Sequence, residues 1–235
     1  AGRVRVNIGN NTLSFGSLAG SGQFVNNTGS STSVLSVGAL NTSTTFAGTF
    51  NNNGTGGFAL LKTGSGTLGL TGASTYSGGT TINSGGREFV FSGATASGTT
   101  VSSGGGQIVF GTTVSTSVSS GGFETLSSGG TASGTEVNGG GTLTVISATT
   151  ESAVVHGDLS GSAVLSGVEI VSSGGTASDT TVLAGGRLVL RGGTASDAIV
   201  LGISSGAIVA SGVLALSGGS ALNTSVGDLG KIVLS

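Results

Sequence analysis

Glycine pairs return along this chain at Gly85-Gly86, Gly104-Gly105, Gly121-Gly122, Gly139-Gly140, Gly174-Gly175 and Gly192-Gly193. The intervals are 19, 17 and 18 residues, then 35, which fits two turns, then 18. Self-similarity at this period is the mark of stacked repeats, each contacting only its neighbours. Further pairs at Gly129-Gly130 and Gly185-Gly186 lie half a period away, as a turn with more than one corner requires.

Between the corners sit short runs such as "REFVF" (87–91), "GQIVF" (106–110), "TLTVI" (142–146) and "RLVL" (187–190). Four or five Val, Ile, Leu, Phe and Thr bounded by Gly and Ser read as strands. A phrase also recurs: "TASGTTVSSGG" at 95–105, "TASGTEVNGGG" at 131–141 and "TASDTTVLAGG" at 176–186. It places Val101, Val137 and Val182 at one matching inward position. One such turn cannot bury its own apolar side, but stacked turns pair each strand with its equivalents above and below, about 4.8 Å apart. The expected fold is all-β, a right-handed parallel β-helix (a β-solenoid) of about 18–20 residues per turn, its hand set by the preference of parallel crossovers. Roughly a dozen turns would give a rod about 55–60 Å long.

Composition agrees with a thin coil and excludes other classes. Aromatic residues are 4% and charged residues 7% of the 235, with 49 Gly and no Pro, Cys, Met or Trp, too few bulky and charged side chains for an ordinary core or for helices. A mean hydropathy of +0.40 with periodic apolar blocks argues against disorder. Seven Lys and Arg spread along a chain of net charge −2 argue against nucleic acid. No apolar run is long enough for a membrane-spanning helix, and the start "AGRVRVNIGN" has no signal-peptide core, so the expectation is a mature form, a fragment or a non-exported chain.

Residues 1–84 differ in texture, being rich in Asn and Thr and holding Phe15, Phe24, Phe46, Phe50 and Phe58 of the nine Phe. They read as less regular turns with Asn in left-handed corners or stacked ladders, continuous with the repeat region at 85–235. Within them "GGFALLKTGSGTLGLTGASTYSGGTTINSG" at 56–85 closely resembles the passenger-associated repeat of bacterial autotransporters, K-T-G-x-G-T-L-x-L-T-G-x-x-T-Y-x-G-G-T-T. Lys62 to Gly66, Thr67 to Gly72, Thr75, Tyr76 and Gly78 to Thr81 fall on that pattern. The later "TAS…V…GG" phrases resemble AIDA-type self-associating adhesins. The resemblance implies a passenger exported through the outer membrane, β-helical, adhesive or aggregating, and open to glycosylation on Ser and Thr. The family's C-terminal barrel has no counterpart in the strand pattern here, which leaves the anchoring open.

Enzymatic chemistry finds little footing. His156 in "VVHGDLSGS" lies near Asp158, Ser160 and Ser162, but a triad needs geometry that a Gly-rich turn does not supply, and a solvent-facing His is the preferred reading. Polysaccharide-degrading β-helices gather carboxylates. Here Glu124 and Glu136 are twelve residues apart, and Asp179 and Asp197 eighteen. The two Asp share the slot that Gly98 and Gly134 fill in other copies, so they read as turn formers. No calcium nonapeptide or phosphate loop occurs. Thr-Thr pairs starting at Thr99, Thr112 and Thr180 raise an ice-binding face, set aside because no T-x-T register persists. Sequons at Asn10, Asn26, Asn41, Asn53 and Asn223 arise readily in such a composition.

The expectation is a non-enzymatic bacterial adhesin or self-associating fibre, cell-surface, outer-membrane-associated or extracellular, acting through the sides or ends of the rod. No catalytic, cofactor or metal residues are assigned. Expected partners are identical chains, with host or matrix glycans or proteins as further candidates. The alternative is a polysaccharide-degrading β-helix or its carbohydrate-binding region.

Overall fold

In the computed structural model, which describes residues 5–7, 11–26, 31–52, 56–158, 165–205 and 208–234, every regular element is a strand and almost every pairing is parallel. The chain is a parallel β-helix with three faces. A ten-stranded sheet runs from Thr44–Phe46 to Lys231–Leu234, an eleven-stranded sheet from Thr12–Phe15 to Ser225–Val226, and a seven-stranded sheet from Thr95–Ser97 to Ser220–Leu222. A three-stranded sheet (Arg5–Asn7, Gln23–Asn26, Thr49–Asn52) stands in for the third face at the N-terminal end. It links to the seven-stranded sheet through the bridges Asn51↔Thr75 and Ala73↔Thr95.

Alternation within each strand fixes which side chains enter the coil. Phe123–Ser127 buries Glu124 and Leu126 and turns Phe123, Thr125 and Ser127 outward. On the eleven-stranded sheet Ile82, Val101, Val118, Val137, Val155, Val182 and Val200 stack in register, each fully buried, so the valines of the recurring phrase are interior as expected. At roughly 1.5–3 kcal/mol for a buried Val, this column alone is a main source of coil cohesion. The backbone adds a ladder in which Ser102, Ser119 and Asn138 N–H groups donate to the carbonyls of Ile82, Val101 and Val118 one coil earlier, at 2.9–3.0 Å.

The corners differ in chemistry. Where the seven-stranded sheet turns into the eleven-stranded one, a single residue takes a left-handed conformation: Gly98, Ser115, Gly134, Ser152, Asp179, Asp197 and Asn223, with φ between 50° and 67°. Asp179 and Asp197 are therefore turn formers, as their slot indicated. Asn and Asp tolerate this region because their short polar side chains bond locally. Asn41 does the same at φ 58°, and its side-chain oxygen accepts from the Ser65 backbone N–H at 2.9 Å, one coil on.

The glycine pairs do not form one series. Gly85-Gly86, Gly104-Gly105, Gly121-Gly122 and Gly139-Gly140 precede strands of the ten-stranded sheet, whereas Gly174-Gly175 and Gly192-Gly193 follow such strands. The 35-residue gap is thus a change of corner and not two turns. The registers give the coil lengths: Gln107 pairs with Glu124 and Glu124 with Leu143, but Leu143 pairs with Glu169 and Leu188 with Leu214, each 26 residues apart. The extra length leaves the coil as antiparallel hairpins, Gly157–Asp158 with Leu165–Ser166 and Ile203–Ser205 with Ile208–Ala210, both at the same corner.

Two apolar clusters fill the tube. One, around Phe24, Phe46, Phe50, Phe58 and Tyr76, occupies the N-terminal coils, and the other, of Val, Leu and Ala, runs from Val90 to Leu214.

Candidate functional surface

The interior of the ten-stranded sheet holds a lane of polar groups. Along one inward column stand Leu68, Glu88, Gln107, Glu124, Leu143, Glu169, Leu188 and Leu214. The three Glu and Gln107 are completely buried. Glu124 accepts from Thr113 at 2.8 Å and Thr135 at 3.0 Å, and Glu169 from Thr150 at 3.2 Å and Thr180 at 3.0 Å. Gln107 donates to Glu88 at 2.7 Å, while the second Glu88 oxygen has no partner. Burial raises all three carboxyls, to about 7 for Glu88 and Glu169, against the pull of these hydrogen bonds. Three of the nine acids are therefore sealed from any substrate. Glu124 points inward and Glu136 outward, so the two considered as a pair do not form one.

The N-terminal coil centred on Lys62 is equally specific. Lys62 is buried, and its ammonium donates to the carbonyls of Thr63 at 2.5 Å and Gly64 at 3.1 Å. Burial lowers its pKa and the Glu88 charge opposes that shift. Gly64 has φ +66°, and a methyl group there would collide with the carbonyl oxygen of Gly38. Leu68 and Leu70 face the core, and the Tyr76 hydroxyl is 2.6 Å from that of Thr80. Lys62, Gly64, Leu68, Leu70 and Tyr76 of K-T-G-x-G-T-L-x-L…T-Y thus each have a packing reason. Gly64→Ala is expected to cost at least about 2 kcal/mol, from the left-handed penalty plus the clash. Asp179→Gly, in a slot that glycine fills elsewhere, is expected to stay within about 0.5 kcal/mol of the parent; urea midpoints of the two variants check the contrast.

The seven-stranded sheet presents a row of hydroxyls: Thr95, Thr112, Thr131, Thr149, Thr176, Thr194 and Ser220 stand one above the next. Thr112 and Thr131 are 3.2 Å apart, as are Thr149 and Thr176. Ser97, Ser133, Ser178 and Ser196 form part of a second outward row, interrupted by Val114, Glu151 and Leu222. The ordered register is T-x-S. The Thr-Thr pairs split instead, with Thr99, Thr113 and Thr180 buried and Thr100, Thr112 and Thr181 turned outward.

The ten-stranded sheet shows an apolar outer side. Phe89, Phe91, Phe110 and Phe123 are half-buried, with Phe91 and Phe110 stacked at 6.2 Å and an interplanar angle of 15°. The Arg87 guanidinium lies 4.8 Å from the Phe123 ring centroid. Ile108, Ile170, Val189 and Ala215 continue the surface. Charge is segregated about it. Among side chains that the structure describes, the solvent-facing cations Arg87, Arg187, Arg191 and Lys231 all stand on strands of this sheet, whereas the exposed acids Glu136, Glu151, Asp179, Asp197 and Asp228 lie on the other faces and corners.

A cleft of about 520 Å³ opens at the hairpin corner, lined by His156, Leu183, Ala184, Leu201 and Asp228. His156 Nε2 is 3.1 Å from Glu136 Oε1. Asp158 ends a hairpin strand, and Ser160 and Ser162 lie outside the described residues, as do Asn10 and Asn53 of the sequons. Among the described residues no three His, Cys, Asp or Glu cluster as a metal site, and no helix is long and apolar enough to cross a membrane.

Residues 60–86 match the family model of the passenger-associated-transport-repeat. The chain carries one such repeat. It spans one turn of the helix and part of the next, since Leu60 pairs with Thr80 within it. The fold is also that of a solved fragment, the TibC-catalysed, hyper-glycosylated TibA55-350, with TM-score 0.63 and 24% identity over 98% of this chain and 92% of that one. No curated protein sequence matches the chain.

Proposed function

We propose that the chain is a non-enzymatic adhesive passenger, exposed at a bacterial surface or outside the cell, whose work is done by the sides of the rod. The observation that carries this reading is the seven-rung hydroxyl row from Thr95 to Ser220, set on a scaffold whose repeat at 60–86 is of passenger type. Rigid rows of donors and acceptors on neighbouring rods add many modest contacts by multivalency. The TibA fragment of like fold is hyper-glycosylated, and the outward Thr and Ser rows here are the hydroxyls that such a modification would meet first.

Cells displaying the chain are expected to settle from still suspension faster than cells without it. Replacing Thr131, Thr149 and Thr176 together by Lys places like charges on successive rungs and is expected to slow settling at least fivefold, with the circular dichroism of the purified rod unchanged. Unchanged settling in that variant removes the hydroxyl row from the contact. Incubation of the purified chain with polysaccharides is expected to release no new reducing ends, and their appearance would favour the enzyme alternative.

A further inference from the structure

We propose that the outer side of the ten-stranded sheet binds a linear anionic polysaccharide laid along the rod. The inference deepens the adhesive reading and rests on it, by naming the ligand class of one face. It begins from charge: a chain of net charge −2 collects Arg87, Arg187, Arg191 and Lys231 on one sheet and keeps the five exposed acids off it. Arg187 and Arg191 bracket Val189 on one strand, about 13 Å apart, and Lys231 stands two strands, about 10 Å, beyond Arg187 in the same outward column. Arginine forks pair with carboxylate or sulfate groups in a bidentate manner. Among the described residues neither Arg187 nor Arg191 is ion-paired with a carboxylate, and both are exposed, so their forks are available for that role.

The second element is the aromatic platform. Phe89, Phe91 and Phe110 lie with centroids 6.1–6.4 Å apart. Beside them is a hollow of about 210 Å³ whose wall includes Ser43, Thr45, Thr67 and Gly69. Ring faces receive the C–H side of a pyranose while nearby hydroxyls bond its O–H groups, the mixture of apolar surface and few polar groups that characterises ligand sites. The sheet of ten strands is about 45 Å long, with a step of about 4.8 Å per coil. It suits an extended polymer better than a membrane, because its outward apolar side chains Phe89, Ile108, Phe110, Ile170 and Val189 are half-buried, and the exposed ones, Ile146 and the last-strand residues Ile232 and Leu234, stand apart from one another and not as one inserting patch.

The test uses the whole chain with polygalacturonate and heparin as probes, dextran as the uncharged control and phosphatidylglycerol vesicles as the lipid control. Saturable binding to both polyanions, absent with dextran and weakened at least tenfold between 50 and 500 mM salt, is the expected result. The double variant Arg187→Glu, Arg191→Glu is expected to lose at least tenfold in affinity, and Phe89→Ser with Phe110→Ser at least threefold, with melting curves confirming the fold. Equal binding to dextran, preference for the vesicles, or full affinity in the arginine variant overturns the proposal. Settling of cells displaying the same variants separates the two ideas. Clumping cells whose purified rod ignores both polyanions refute only this ligand, whereas polyanion binding without clumping refutes the hydroxyl-row contact between rods.

Discussion

The rod is expected to melt at a higher temperature at pH 5 than at pH 8, the reverse of ordinary acid denaturation. Glu88 and Glu169 carry pKa values of about 7 against 4.5 for the free group, burial being the largest cause. Between those values the folded state holds more protons than the unfolded one, so stability falls as pH rises. The contribution is fully present below about pH 4.5 and is lost as pH passes 7. A shift of this size corresponds to about 3 kcal/mol per carboxyl. Glu124, also raised, acts in the same direction. Glu169→Gln keeps the shape and lets Thr150 and Thr180 rotate to match the amide; it is expected to raise the melting temperature at pH 8 and flatten its pH dependence. A melting temperature that climbs from pH 5 to pH 8, or an unaltered profile in Glu169→Gln, would contradict the buried lane.

That lane was not legible in the sequence because the rule that polar residues point outward fails there. Glu88, Glu124 and Glu169 occupy a column whose other members include Leu143 and Leu188, and nothing in their own strands marks them as inward. A signal did exist one face away. The inward Ala of "TAS" is Thr at Thr113 and Thr150, and these two hydroxyls serve Glu124 and Glu169. Reading an Ala-to-Thr change together with an acid elsewhere in the coil required the register, which only stacking defines.

The solenoid itself was legible because its determinants are local. A left-handed corner favours Gly, Asn or Asp, with Ser115 and Ser152 as the exceptions in this series, and a two-residue alternation separates Val137 from its outward neighbours wherever the coil lies. The same locality misled the count of turns. Two corners use Ser-Gly-Gly chemistry, so Gly121-Gly122 and Gly174-Gly175 look alike in sequence while lying at different corners. The charged face was invisible for another reason: Arg87, Arg187 and Lys231 are far apart in sequence and meet on one column only once each coil's length, hairpins included, is known.

Phe50→Ala is expected to unfold the N-terminal coils while leaving the C-terminal ones standing. Phe50 is fully buried and packs on Phe24, Phe46, Phe58 and Tyr76 at centroid distances of 4.9–5.8 Å. Truncating a buried Phe costs about 3–5 kcal/mol, and Phe50 sits at the centre of the ring cluster of these coils. In a stacked repeat each coil is held mainly by its neighbours, so the loss spreads locally and does not abolish the whole structure. The chain supplies its own reporter: Tyr76 is the single Tyr and there is no Trp, so intrinsic fluorescence follows this cluster alone. The tyrosine transition is expected at lower urea than the main far-ultraviolet transition, which keeps most of its amplitude from the coils between Val90 and Leu214. Coincident transitions at the shifted midpoint would mean that the two apolar clusters unfold as one unit, and that the coil transmits damage along its length more strongly than nearest-neighbour stacking permits.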